Sequence, residues 1–189
     1  MKEQDILLEI KSKMPVKKYK HSIAVADTAE MIASKENFSI KKARQAALLH
    51  DYAKAMSITE LRNIADLIID EWNIDKEELL IPYVLHAPVS AYLAKTKLGI
   101  SDMEVLEAIR FHTIGSPDMG KLAQIIFLAD FIEPNRNFSE ADTIRSQLEK
   151  GLEETIILIC SYSIKYNIDL QRIVHPNTVR LRNAYLRRR

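Results

Sequence analysis

Apolar residues recur along this chain at spacings of three and four almost from end to end. That is the period of an α-helix, so the expected fold class is all-α, a compact multi-helix bundle. The pattern divides into segments at 4–13, 17–36, 40–54, 58–70, 75–80, 83–97, 102–114, 118–132, 139–166 and 176–187. Capping chemistry places several starts, because Ser-x-x-Glu satisfies two orphan N–H groups reciprocally. Ser57 with Glu60 and Ser101 with Glu104 fit, and Ser139 with Asp142 is a weaker version. Pro15, Pro82, Pro117, Pro134 and Pro176 stand where the periodicity restarts, while Pro88 sits a little inside a segment and is expected to kink or delay its helix.

The same period decides which way the titratable residues point. His21 lines up with Val25, Thr28 and Ile32, and His50 with Ala43, Ala46 and Ala47. His86 lines up with Val89 and Leu93, and His112 with Val105 and Ile109. Asp51 follows Ala47 by four residues, and Asp130 follows Ile126 by four and Phe127 by three. Four histidines and two aspartates therefore face inward. One such histidine is easily satisfied by a carbonyl, but a buried ionised aspartate is tolerable only when paired, hydrogen-bonded or bound to a metal. The adjacent pair His50-Asp51 sharpens the expectation, since neighbours about 100° apart on a helix reach one ion only if it lies over that edge. Imidazole and carboxylate donors without thiolate suit iron or manganese first, then zinc or cobalt. Because one carboxylate can bridge two ions, the six residues suffice for a dinuclear site of two divalent metals.

Composition narrows the chemistry. The chain has 189 residues, 47% hydrophobic and 28% charged, and only four glycines. No glycine-rich phosphate loop exists, so phosphate would be held by metals, Lys or Arg. With 27 basic and 26 acidic residues the net charge is +1, and no DNA, RNA or membrane partner is expected. The one basic run, Arg187-Arg188-Arg189, reads as a solvated tail. The lone Cys160 lies in an apolar run and is expected to be a buried thiol, which points to the cytoplasm. The N-terminus is charged where a signal peptide would be apolar, and no stretch reaches the ~18 apolar residues of a membrane span. A single domain over 1–189 is expected, with a metal-site core at 17–136 and C-terminal helices at 139–187.

The order His21, His50-Asp51, His86, His112, Asp130 resembles the HD superfamily, whose ligands run His, His-Asp, one or two further His, then Asp. A closer resemblance is to the YqeK branch, the bacterial symmetrical diadenosine tetraphosphate hydrolases. It is carried by His50-Asp51-Tyr52-Ala53-Lys54, His86-Ala87-Pro88-Val89, His112-Thr113-Ile114-Gly115 and Ala129-Asp130-Phe131-Ile132-Glu133-Pro134-Asn135-Arg136. Ala87 stands where members often have Gly. The resemblance implies that His21, His50, Asp51 and Asp130 hold one metal and that Asp51, His86 and His112 hold the other, with Asp51 as bridge. It further implies iron, and hydrolysis of the dinucleoside tetraphosphate to two ADP by a metal-bound hydroxide.

Lys54, three residues past Asp51, and Arg136, just beyond the Pro134 stop, are the expected phosphate contacts, so that Asp51, Lys54 and Arg136 form the catalytic set. Thr113 and Arg110 are weaker candidates for substrate contact, and His175 reads as a loop or helix-start residue outside the set. Three competing functions remain at this point: an HD phosphohydrolase of nucleoside mono- or triphosphates or guanosine polyphosphates, a diiron oxygenase, and a non-catalytic nucleotide sensor. The apolar stripe Leu148, Leu152, Ile156, Ile159, Ser163 either covers the bundle or forms a homodimer face.

Overall fold

The computed structural model describes residues 1–188, so the Arg189 end of the basic run lies outside the described residues. Among them are eleven α-helices, two 3-10 turns and no strand. The helices are α1 Glu3–Lys13, α2 Val16–Lys35, α3 Ile40–Leu49, α4 Ile58–Ile68, α5 Lys76–Leu80 and α6 His86–Thr96. They continue with α7 Met103–Phe111, α8 Lys121–Ile132, α9 Ala141–Gln147, α10 Leu152–Asp169 and α11 Pro176–Leu186. The all-α expectation holds.

The starts follow capping chemistry with two corrections. Ser57 and Glu60 form the expected reciprocal box on α4. On α7 the cap is Asp102 rather than Ser101, and its carboxylate accepts from the Glu104 N–H at 3.0 Å. Ser139 caps nothing; its hydroxyl bonds the Glu140 carboxylate, and α9 starts two residues later. Pro88 is the third residue of α6, where a missing N–H costs no helical bond, so it neither kinks nor delays the helix.

One expected helix ends early and another is split. The segment 40–54 is helical only to Leu49, after which Tyr52, Lys54 and Met56 donate to carbonyls three residues back. The Ala53 N–H goes instead to the Ser90 hydroxyl on α6, a buried bond of 2.9 Å, which pins these turns against a neighbouring helix. The segment 139–166 is broken at Gly151, whose φ of 121° is open essentially to glycine alone. A 3-10 turn, Leu148–Lys150, leads into that break. Leu148, Leu152, Ile156 and Ile159 are all buried, so the apolar stripe is spent inside the chain on α8 and α11 rather than exposed as a dimer face.

At the centre, α2 packs against α3 and α8 while α7 packs against α6 and α8. Ala43, Ala46 and Ala47 are fully buried on α3, and such small side chains let helices approach closely enough to bring short Asp and His side chains together. Cys160 is buried as expected, and burial pushes its thiol up to about 12. Arg188 does not simply fray: its guanidinium lies 4.3 Å over the Tyr185 ring and donates to the Pro117 carbonyl at 3.1 Å.

Candidate metal centre

Three of the histidines stand at helix ends and repeat one local device. His50 follows the last residue of α3, His112 follows the last of α7, and His86 is the first of α6. Each Nδ1 lies against the carbonyl three residues back, Ala47 at 2.6 Å, Tyr83 at 2.6 Å and Ile109 at 2.8 Å. A carbonyl only accepts, so we assign the proton to Nδ1, and Nε2 then presents a lone pair. His21, within α2, is tied the same way by the Glu133 carboxylate at 3.2 Å from its Nδ1.

All four Nε2 atoms converge on two carboxylates. Asp51 divides them: its Oδ2 is 3.8 Å from His21 and 3.6 Å from His50, and its Oδ1 is 3.1 Å from His86 and 3.4 Å from His112. Asp130 joins the first group, with Oδ1 at 3.0 Å from His21 and 3.8 Å from His50.

Whether a cation fits follows from donors and acceptors. His50 is fully buried and its Nε2 has no hydrogen-bond partner. The Nε2 atoms of His86 and His112 are 3.1 Å apart, so two lone pairs face each other. Acceptors gathered in one dry space with too few donors are costly, and a divalent cation is the group that satisfies them together. Ligand atoms of His21, His50 and Asp130, and also of His50, Asp51 and His112, lie within 4.8 Å of one another, close enough to hold an ion, though the one Nε2 lone pair of His50 can serve only one of the two sets at a time.

The charge states suit this reading. Burial pulls His50 and His86 down to about 4, so both are neutral at pH 7, the form a metal requires. Burial works to raise Asp51 and Asp130, yet attraction to the surrounding imidazoles, protonated at the acid pH where these carboxyls titrate, and for Asp130 also to Arg136, holds both well below the usual carboxylate range. Burial also opposes charge on His21, but the protonated ring can donate from Nε2 to Asp130, which outweighs burial and raises it.

At the rim the structure brings together the remaining expected residues. Lys54 Nζ lies 3.2 Å from Asp51 Oδ1 and 3.0 Å from His86 Nε2. Arg136 donates to Asp130 Oδ1 at 2.6 Å and to the Asp130 carbonyl at 2.9 Å. Thr113 Oγ1 is 3.0 Å from His112 Nε2. Arg110 is a correction: it is buried away from the site, bonding Glu78 at 2.6 Å and the carbonyls of Trp72 and Asn73. His175 caps α11 through its Nδ1, as a helix-start residue.

The sequence reading missed Glu133, which is 2% exposed and orients His21 while accepting from Asn135. It also missed Lys17, Lys18 and Lys20, which line a cleft of about 870 Å³ with His21, Asp51, Lys54 and Arg136. Lys17 and Lys18 stand four and three residues before His21, so helical spacing alone placed them on its face. Glu133 stands three residues past Asp130, but beyond the Ile132 end of α8, where the helical period no longer fixes a direction.

The HD domain family matches residues 19–135. A symmetrical bis(5'-nucleosyl)-tetraphosphatase of Halalkalibacterium halodurans is 36% identical over 179 residues, covering 94% of this chain and 93% of that protein. A protein of the same description from Bacillus subtilis is 33% identical, covering 94% of each. A crystal structure from Clostridium acetobutylicum, described as a predicted HD superfamily hydrolase involved in NAD metabolism, has a TM-score of 0.94 and 34% identity, covering 100% of this chain and 99% of that one. The histidine and aspartate order, the all-helical fold and these likenesses agree: this chain is a hydrolase of the HD-domain family, in the branch of the symmetrical bis(5'-nucleosyl)-tetraphosphatases.

Proposed function

We propose that this chain hydrolyses diadenosine tetraphosphate symmetrically into two ADP, using two divalent metals held in the His/Asp basket. The carrying observation is the set of inward lone pairs with too few donors, centred on the orphaned His50 Nε2 and opening onto a cleft lined by Lys and Arg. The relatives' described activity supplies the substrate class.

His21, His50 and Asp130 with Asp51 Oδ2 would hold one metal, and His86 and His112 with Asp51 Oδ1 the other, leaving Asp51 as the bridge. Bound there, the metals supply Lewis acidity that activates water and polarises phosphoryl oxygens. Iron suits the imidazole-rich set, with manganese, cobalt and zinc as alternatives. The chain's own groups do the positioning. Glu133 and the three carbonyls fix the imidazoles so that each lone pair stays aimed inward. Lys54 and Arg136 offer an ammonium and a planar fork to phosphate oxygens, Thr113 a hydroxyl, and Lys17, Lys18 and Lys20 extend the positive rim along the polyphosphate.

In the reaction a water oxygen bonds to the second phosphorus from one end. The bond from that phosphorus to the central bridging oxygen breaks, and the bridging oxygen leaves with the other half as ADP. The whole chain works as one unit in the cytoplasm, with no nucleic-acid or membrane partner; no helix among the described residues is long and apolar enough to cross a membrane. Chromatography of the products tests the reading: ADP alone is expected, and ATP plus AMP would overturn it. Metal analysis of the purified protein is expected to give about two ions per chain.

A further inference from the structure

A second cavity, of about 360 Å³, adjoins the metal centre and includes none of Lys17, Lys18 and Lys20 in its lining. It is lined by His112, Thr113, Asp130, Lys54 and Arg136 together with a run of aromatic rings. Phe131 comes from α8 directly after Asp130, Phe138 from the turn that follows Arg136, and Tyr162 and Tyr166 from one face of α10. The rings brace one another. Tyr162 and Tyr166 stack with centroids 5.9 Å apart and planes 15° apart, Phe138 lies 4.9 Å from Tyr162, and Phe131 meets Phe138 edge-on at 5.2 Å. Yet this cluster is not core: Phe131, Phe138 and Tyr162 are only part-buried and Tyr166 is 46% exposed.

A rigid, water-facing aromatic wall beside cationic groups matches one ligand chemistry. A nucleobase offers a flat π-face to such a wall while its phosphates reach the charged end, and stacking of this kind tolerates any base. The large cleft, which shares Lys54, Arg136 and Phe138 with this cavity, carries that one Phe or Tyr ring against four lysines. The two halves of a symmetric dinucleotide would therefore meet unlike surroundings.

We infer that Phe138, Tyr162 and Tyr166 form a nucleobase platform that stacks one base of the substrate, while the other half is held through its phosphates along the lysine rim. The inference rests on the hydrolase reading above, and it makes the aromatic wall the determinant that separates nucleotides from base-free polyphosphates. One half of the substrate is gripped by base and phosphate together, the other by phosphate.

Calorimetric titration of the metal-loaded enzyme with ADP and with inorganic pyrophosphate tests it. Tyr162→Ala and Tyr166→Ala are each expected to weaken ADP by about tenfold, the lower part of the range for one stacked base, and to leave pyrophosphate within about twofold. Tyr162→Phe, which keeps the ring, is expected to bind ADP like the parent. Should Tyr162→Ala fail to fold, the half-exposed Tyr166→Ala still decides. Equal loss of ADP and pyrophosphate, or unchanged ADP affinity in Tyr166→Ala and in any folded Tyr162→Ala, would overturn the platform. The two readings fail separately: ADP discrimination without symmetric cleavage sinks the activity and keeps the platform, and symmetric cleavage without ADP discrimination does the reverse.

Discussion

Two regions of this molecule gather histidine with carboxylates, and they resemble each other in composition far more than in physics. One is the central basket. The other brings Asp75, Glu78 and His175 within ligand distance of one another near the starts of α5 and α11. In the outer cluster nearly every polar atom already has a structural task. Asp75 and Glu78 form the capping box of α5, His175 caps α11 and bonds Asp75 at 3.1 Å, and Glu78 pairs with Arg110 at 2.6 Å. The atoms left over there, Glu78 Oε2 and Arg110 Nη1, are one acceptor and one donor on groups that already pair. In the central basket the leftover atom is an acceptor among acceptors. The balance of donors to acceptors, rather than the presence of His and Asp, distinguishes a metal site from a structural network.

The contrast is testable, and its largest expected consequence lies at Asp51. Replacing the bridge, Asp51→Ala, should empty the basket by metal analysis and lower kcat/KM by about 10³-fold, reflecting several kcal/mol of metal-derived stabilisation. Retention of stoichiometric metal would break the comparison at its root. In the outer cluster Arg110→Met leaves the Glu78 carboxylate buried without its partner, so the loss should appear in stability, about 3–5 kcal/mol by urea unfolding, with metal content per folded chain unchanged.

A smaller effect sharpens how the basket is aimed. Glu133→Gln keeps the shape but weakens the hold on His21 Nδ1, and metal affinity should fall by about 10–100-fold in a chelator competition while the urea midpoint barely moves. Stripped of metal, the basket should also respond to pH. His50 and His86, depressed from 6.5 to about 4, bind fewer protons folded than unfolded between those values. The stability they contribute is therefore complete above pH 6.5 and is lost as the pH falls toward 4. His21, raised in the fold, opposes this as a single group. A urea midpoint no lower at pH 4.5 than at pH 7 would contradict the assignment. The smallest effect is expected for Asp75→Ala, which loses a cap and about 1 kcal/mol of stability with metal and activity intact.

Much of this could be read from the chain, and the failures are local. Helix period identified the inward faces of His21, His86, His112 and Asp130 because each is flanked by apolar residues three and four positions away. His50-Asp51 was found by the same rule although both lie on turns past the end of α3. The rule assumed a helix through residue 54, and what stopped it was the Ser90 hydroxyl taking the Ala53 N–H, a partner 37 residues away. The break at Gly151 was of the other kind, a single local residue hidden in an apolar pattern.

By itself the sequence determined which side chains could not be left in water or alone in a core: the inward histidines and aspartates, in an order shared with a known family. Tertiary structure decided what they could do together. It turned each imidazole by a bond to Nδ1, put the two oxygens of Asp51 toward different partners, took Arg110 away from the site and brought Glu133 into it. The reason is that helical period fixes a direction from one axis. Donor and acceptor balance depends on atoms delivered by several axes at once, and only the packed bundle sets their distances.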